Sequence, residues 1–141
     1  MTRFDGTIPL LVCEDIAAAH DFLVQAFGFE AGGVSRDADG KAVHGEVRVG
    51  ATPIWLHRVT PEHDLASPRS GARGSGLVVF VDDVDAHYER ARLAGADLES
   101  TPTDQPYGQR EYGVRDPEGH RWWFAMRMTP PTPPAAPPAT P

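Results

Sequence analysis

The chain has 141 residues, a net charge of −7, 40% hydrophobic residues and 23% charged ones. That is enough for one domain with a real core, and the composition is that of an ordinary soluble globular chain. Without a basic block it argues against nucleic-acid binding, and without a long apolar run it argues against a membrane span. The N-terminus has no signal-peptide pattern, and the single Cys13 cannot form an internal disulfide, so a cytoplasmic location is expected.

Taken in order, Thr7 to Cys13 reads as a strand, with Pro9 suited to an edge or a strand end because it lacks an N–H. Asp15 can cap a helix running to about Phe27, with Ile16, Ala19, Phe22, Leu23, Ala26 and Phe27 at helical spacing and Gly28 as its stop. Strands follow at Phe29–Ser35, Ala42–Val49 and Thr52–Val59. They are joined by the Asp37-Ala-Asp-Gly40 turn and a tight Gly50-Ala51 hairpin. Residues 60–75 are polar and rich in Gly, Pro and Ser, and read as a linker.

The second half opens with a strand at Gly76–Val81. Asp83 or Asp85 caps a second helix that ends at Ala94-Gly95. Strands are expected at Leu98–Thr103, Gln109–Arg115 and Gly119–Arg127, with a Pro106-Tyr107-Gly108 loop before the second of them. Asp116-Pro-Glu-Gly119 is strong turn chemistry. After it, alternation puts Arg121, Trp123 and Ala125 on one face, and Trp122, Phe124 and Met126 on the other. Residues 129–141 contain seven prolines and nothing to bury, so they read as a disordered tail of polyproline II character.

The halves repeat. Asp15 and Asp83 occupy equivalent places, as do Gly28 and Gly95, and Asp37–Gly40 matches Asp116–Gly119. Each half is a βαβββ unit, and two such units would curl around a shared concavity. The predicted fold is therefore α+β: a single domain over residues 1–128, with modules at 7–59 and 76–127. They form a curved mixed sheet around a concave pocket, with the helices on its outer face.

Several segments carry a family resemblance: Val12-Cys-Glu-Asp15, Phe27-Gly28-Phe29, Val81-Asp-Asp-Val-Asp85, Ala94-Gly95-Ala96 and Asp116-Pro-Glu-Gly119. In this order the chain resembles the vicinal oxygen chelate superfamily over roughly residues 7–127. That superfamily holds glyoxalase I, extradiol dioxygenases, fosfomycin-modifying enzymes and bleomycin-resistance proteins. Its enzymes hold a divalent metal on four side chains in the concavity. Carried over from the anchors, those positions fall on Ile8, Trp55, Gly76 and Trp123, none of which is a metal ligand.

The resemblance therefore implies the metal-free, drug-binding branch, whose members sequester compounds such as bleomycin, mitomycin-type quinones or enediynes. Ile8-Pro9-Leu-Leu resembles the first strand of that branch, where a proline accompanies strand exchange between dimer partners. Gln105-Pro-Tyr-Gly108 with Arg110-Glu-Tyr112 resembles its late loop and strand, with Gln109 as an extra residue. The implied assembly is a homodimer, with no cofactor and no catalytic residue.

The residues themselves suggest a slot for a flat ligand. Trp55 and Trp123 stand at former ligand positions, with Phe80 on the face of Gly76, and rigid aromatics stack on planar molecules. Tyr107 could gate the slot, and Arg110 and Tyr112 could meet an acidic or phenolic group. Across the Gly50-Ala51 hairpin, His44, Glu46, Trp55 and His57 fall on one face. They form either a polar wall for the ligand or, in an alternative enzyme reading, a non-standard metal or acid–base site. His20, His87 and His120 read as solvated. A purely structural module would need no pocket at all.

Overall fold

The computed structural model describes residues 2–71 and 74–128, so the proline-rich tail lies outside the described residues. The described chain holds two helices, α1 (Ile16–Gln25) and α2 (Val84–Leu93), and nine strands. The strands are β1 (Leu10–Cys13), β2 (Glu30–Arg36), β3 (Ala42–Val49), β4 (Thr52–Arg58), β5 (Gly76–Phe80), β6 (Asp97–Leu98), β7 (Thr103–Asp104), β8 (Gln109–Arg115) and β9 (Arg121–Arg127). They form two mixed sheets, ordered β1-β4-β3-β2 and β5-β9-β8-β6, with β7 also paired to β8. The fold is α+β, as the repeat implies.

The repeat is visible in how each helix starts. The Asp15 carboxylate accepts from the Ala18 amide and that of Asp83 from the Ala86 amide, each at 3.0 Å. Each Asp thereby satisfies an N–H that the first turn leaves free. Helix α1 ends two residues short of Phe27. Gly28 takes φ 79°, a conformation that suits glycine, and swings Phe27 and Phe29 into the core.

Several strand ends shift by one or two residues from expectation, and at two places proline is the reason for a larger change. Ladder pairing begins at Leu10 rather than Thr7. Pro9 has no N–H, although its carbonyl still accepts from the Trp55 amide at 3.0 Å. The expected strand Leu98–Thr103 is broken into β6 and β7 around Pro102, and the Ser100 hydroxyl takes over by accepting from the Gly113 amide at 2.9 Å. Residues 60–75 also carry two short 3-10 turns, Pro61–His63 and Pro68–Ser70.

One face of each sheet carries its helix, and the two helix-bearing faces merge in a single apolar core. Phe27 joins them, with its ring 5.4 Å from that of Trp122 and 4.8 Å from that of Phe124, edge-on in both cases. Burying rings of this size is the largest single source of stability available to the chain. Alternation along the strands then leaves the opposite faces to solvent, and those faces carry the candidate site.

The Asp116–Gly119 turn also binds distant segments together. Asp116 accepts from the indole Nε1–H of Trp122 at 3.0 Å, from the ring of His120, and from the amides of Glu118 and His120. Fully buried Glu118 accepts from the amides of Glu14 and Asp15 at 2.7 and 3.1 Å and from the Ser67 hydroxyl at 2.7 Å. One carboxylate thus ties the start of α1 and the linker to the second sheet.

Candidate functional site

The β3–β4 hairpin has the register expected from Gly50-Ala51: His44 lies opposite His57 and Glu46 opposite Trp55. Residues that pair directly share a face, so all four side chains stand on the open side of the first sheet. Strand β1 adds Leu10 beside Trp55 and Val12 beside His57. Trp55 is 39% exposed yet held by its own row. Its Nε1–H donates to Glu46 Oε1 at 3.0 Å, and the His44 ring stands edge-on at 5.4 Å. The indole is therefore oriented before any ligand arrives, which lowers the entropic cost of stacking.

Glu46 is engaged on its other oxygen by Arg48, 3.9 Å away. Among the described residues, no group of three or more His, Cys, Asp or Glu side chains is placed to hold a metal ion. His44, Glu46 and His57 share one face as a row of polar side chains beside the Trp55 indole.

The open face of the second sheet is organised around Trp123. Its indole lies beside Gly113, its partner on β8, and over Gly76, two residues before its β5 partner Val78. A β-carbon on Gly76 would stand 2.5 Å from Cζ3, and one on Gly113 would lie 3.5 Å from Nε1. The Arg121 guanidinium sits 5.1 Å from the ring centroid, a cation–π distance. Trp123 borders a cleft of 210 Å³ whose walls include Ser100, Thr103, Gln105, Tyr107 and Glu111. The Tyr107 hydroxyl donates to Glu111. Phe80 is exposed on the same face, under the Arg127 guanidinium at 4.1 Å.

The side chains of Arg110 and Tyr112 are not turned to this face, although Tyr112 borders the Trp123 cleft. Gly113 pairs with Trp123 and Glu111 with Ala125, so strand parity sends Arg110 and Tyr112 to the helix side. Arg110 is bound by Asp85 and Asp104. Tyr112 is fully buried, and burial pushes its phenol up from the usual range. The same parity identifies Glu111, which the sequence reading passed over. Its signal was alternation counted back from Trp123 through the Asp116–Gly119 turn.

The solvated reading of three histidines is also corrected. His20 and His120 are buried; His20 hydrogen-bonds the Gly32 carbonyl and His120 the Asp116 carboxylate. His87 packs flat on Phe124, with ring centroids 3.9 Å apart. Its Nε2 faces the Phe27 carbonyl at 2.8 Å, and a carbonyl can only accept, so Nε2 carries the proton. Nδ1 then accepts from the Tyr112 hydroxyl at 2.6 Å. Burial holds His87 below the usual imidazole range.

Within one chain, Trp55 and Trp123 belong to different sheets, and the cleft that holds Trp123 does not include Trp55. The two indoles therefore stand apart, Trp55 on the first sheet and Trp123 on the second.

Residues 7–124 match the model of the Glyoxalase/Bleomycin resistance protein/Dioxygenase superfamily. The chain belongs to that superfamily. An uncharacterized protein of Mycobacterium bovis is 34% identical over 118 residues, covering 81% of this chain and 78% of the relative. Among solved structures, TioX from Micromonospora sp. ML1 is 31% identical, with a TM-score of 0.69, over 91% of this chain and 100% of that one. A bleomycin-binding protein from bleomycin-producing Streptomyces verticillus, complexed with copper(II)-bleomycin, is 27% identical with a TM-score of 0.62. That match covers 88% of this chain and 97% of the relative. At the positions to which the resemblance assigns the superfamily's metal ligands, this chain has Ile8, Trp55, Gly76 and Trp123. Gly76 has a steric reason to be bare, because the Trp123 indole occupies the space a side chain would need.

Proposed function

We propose that this superfamily member binds a planar, partly aromatic small molecule without a metal and acts by sequestering it. The observation that carries this reading is Trp55, an exposed indole held in place by Glu46 and His44. It stands where the family's enzymes place a metal ligand. A fixed, solvent-facing aromatic surface is built for stacking and offers nothing to a cation's coordination shell. Trp123, with Tyr107 and Glu111 beside it, supplies a second such surface. The likeness to a protein bound to copper(II)-bleomycin supports a cytotoxic natural product as the ligand class.

Because the two half-sites lie on separate sheets, a complete slot is expected in a homodimer. There Trp55 of one subunit would face Trp123 of the other, with exchange of the segment before Pro9 as the means of joining. Arg110 is taken up by Asp85 and Asp104, Tyr112 borders the Trp123 cleft, and His44, Glu46 and His57 serve as the polar wall.

The test is tryptophan fluorescence in the presence of chelator, titrated with bleomycin, mitomycin, an anthraquinone and an enediyne. Saturable quenching that is lost in Trp55→Ala or Trp123→Ala, with the compound recovered unchanged, is the expected result. Silence toward every compound would overturn the reading. A response to Mn²⁺, Zn²⁺ or Fe²⁺ that vanishes in His44→Ala would in addition promote an enzyme working from the His44, Glu46 and His57 row.

A further inference from the structure

A second cavity, of 430 Å³, opens at the joint between the two modules. It lies where the β3–β4 hairpin turns, at Val49 and Gly50, and where β5 ends, at Val79 and Val81. Its floor is aromatic: Phe27, Phe29 and Phe124 are buried rings of the core, and Phe80 stands 45% exposed at its edge. It shares no lining residue with the Trp123 cleft, and Trp55 does not line it.

The charges around that floor are mostly positive, in a chain whose net charge is −7. Two guanidiniums, Arg48 and Arg90, line the cavity against one carboxylate, Glu30. Arg90 is anchored where α1 stops. Its Nε donates to the Gln25 carbonyl at 3.2 Å and its Nη2 to that of Val24 at 3.4 Å. The guanidinium has room because Gly28 carries no side chain; a β-carbon there would stand 2.8 Å from Nη1. Among the described residues, Nη1 makes no hydrogen bond and Arg90 no ion pair. Arg48 meets a carboxylate only at 3.9 Å, from Glu46. Glu30, opposite Arg48 on β2, is exposed. A third guanidinium, that of Arg127, lies 4.1 Å from the centroid of the Phe80 ring. His87 lines the cavity as a neutral wall, since both its ring nitrogens are taken inside the fold.

We propose that this joint is a binding site for an aromatic carboxylate, separate from the indole surfaces. The rings of the ligand lie on the phenylalanine floor. Its carboxylate meets the open Nη1 edge of Arg90, with Arg48 adding a second positive charge at the mouth. The planar fork of a guanidinium matches a carboxylate, and a desolvated aromatic floor beside it selects for rings over a bare anion. A cavity of this volume falls in the range that holds a small organic ligand. Its walls come from both modules, so an occupant holds the modules together. The site needs neither Trp55 nor Trp123 and stands apart from the sequestration reading.

The test titrates the full ¹⁵N-labelled chain with 2-naphthoate to millimolar concentration and follows the amide resonances. The expected result is saturable displacement of the Gly28, Gly50 and Val81 amides, with the Gly113 amide and the Trp123 indole N–H unmoved. 2-Naphthalenemethanol, the same rings without the charge, should bind about tenfold more weakly, the worth of one charge-assisted hydrogen bond. Arg90→Gln should bring naphthoate down to the affinity of the alcohol. Because Arg90 also holds the end of α1, Arg48→Gln serves as a second variant. It should weaken naphthoate about threefold, as loss of a partly exposed charge does.

The absence of saturable displacement overturns the proposal. Displacements centred on Gly113 and the Trp123 indole also overturn it, because the probe would then sit on the second sheet's open face. Equal affinity for the acid and the alcohol removes the carboxylate, as does unchanged naphthoate affinity in Arg48→Gln. Inorganic phosphate that moves the same amides as strongly as naphthoate would reduce the joint to a bare anion site and overturn the aromatic assignment. Failure of the drug titrations, with this experiment positive, would sink the sequestration reading and leave the joint site standing.

Discussion

The indole of Trp123 occupies the place of a side chain on Gly76: a β-carbon there would stand 2.5 Å from Cζ3. The relationship makes the second half-site a property of two strands and not of one residue. Gly76→Ala should force the indole off the sheet at a cost of about 1–3 kcal/mol, the usual penalty for overpacking. Thermal unfolding with near-UV circular dichroism checks this, the expectation being a lower Tm and an altered tryptophan band. An unchanged band would mean that the ring has room to spare.

Glu118 is the buried acceptor for two amides and a hydroxyl from segments far apart in sequence. Its replacement in Glu118→Ala strands those donors and removes one of the partners of Arg69, which keeps Glu14. The expected loss is about 3–5 kcal/mol by denaturant titration. Glu118→Gln keeps one acceptor oxygen and should lose distinctly less. Equal losses would show that packing volume, not hydrogen bonding, is what the carboxylate contributes.

His87 links α2 to the carbonyl of Phe27 as a neutral imidazole, and its burial holds the folded-state pKa below the usual value. The unfolded chain therefore takes up this proton first as pH falls. The contribution of His87 is fully present above an unfolded pKa of about 6.5. It is lost as pH drops through that value toward the lowered folded one, with a slope of at most about 1.4 kcal/mol per pH unit. Unfolding free energies measured from pH 8 to pH 5 should fall less steeply in His87→Gln than in the native chain. Parallel profiles would remove His87 from the account.

Cys13 is buried, and burial together with the nearby Glu118 and Asp116 carboxylates pushes its thiol well above the usual range. A thiol kept protonated and out of solvent is a poor nucleophile. Native protein at pH 8 should resist labelling by a disulfide reagent over hours, then take up one equivalent on addition of denaturant. Rapid labelling of the folded chain would contradict the packing of β1 against α1.

Much of this was legible in the residues. The Asp caps, the Gly28 stop and the Gly50-Ala51 hairpin act over a few residues, so they can be read without the fold. The hairpin turn also determined the pairing of His44 with His57 and Glu46 with Trp55, because a two-residue loop leaves one register open. Arg110 and Tyr112 were expected to meet an acidic or phenolic group of the ligand, but the pairing of Gly113 with Trp123 and of Glu111 with Ala125 turns their side chains to the other face, a register that no short turn fixes in advance.

The sequence by itself determined the βαβββ repeat and the opposite facing of Trp122 and Trp123. Local turn chemistry and strand alternation suffice for those. Only the tertiary structure decided that His20 and His120 are buried and His87 half-buried, each with hydrogen-bond partners, since a histidine's surroundings come from strands and helices far away in the chain. Likewise, only packing showed that Trp55 and Trp123 lie on separate sheets. The joint at Phe27 packs the helix-bearing faces together, so the two indoles are turned outward on faces that one chain does not close.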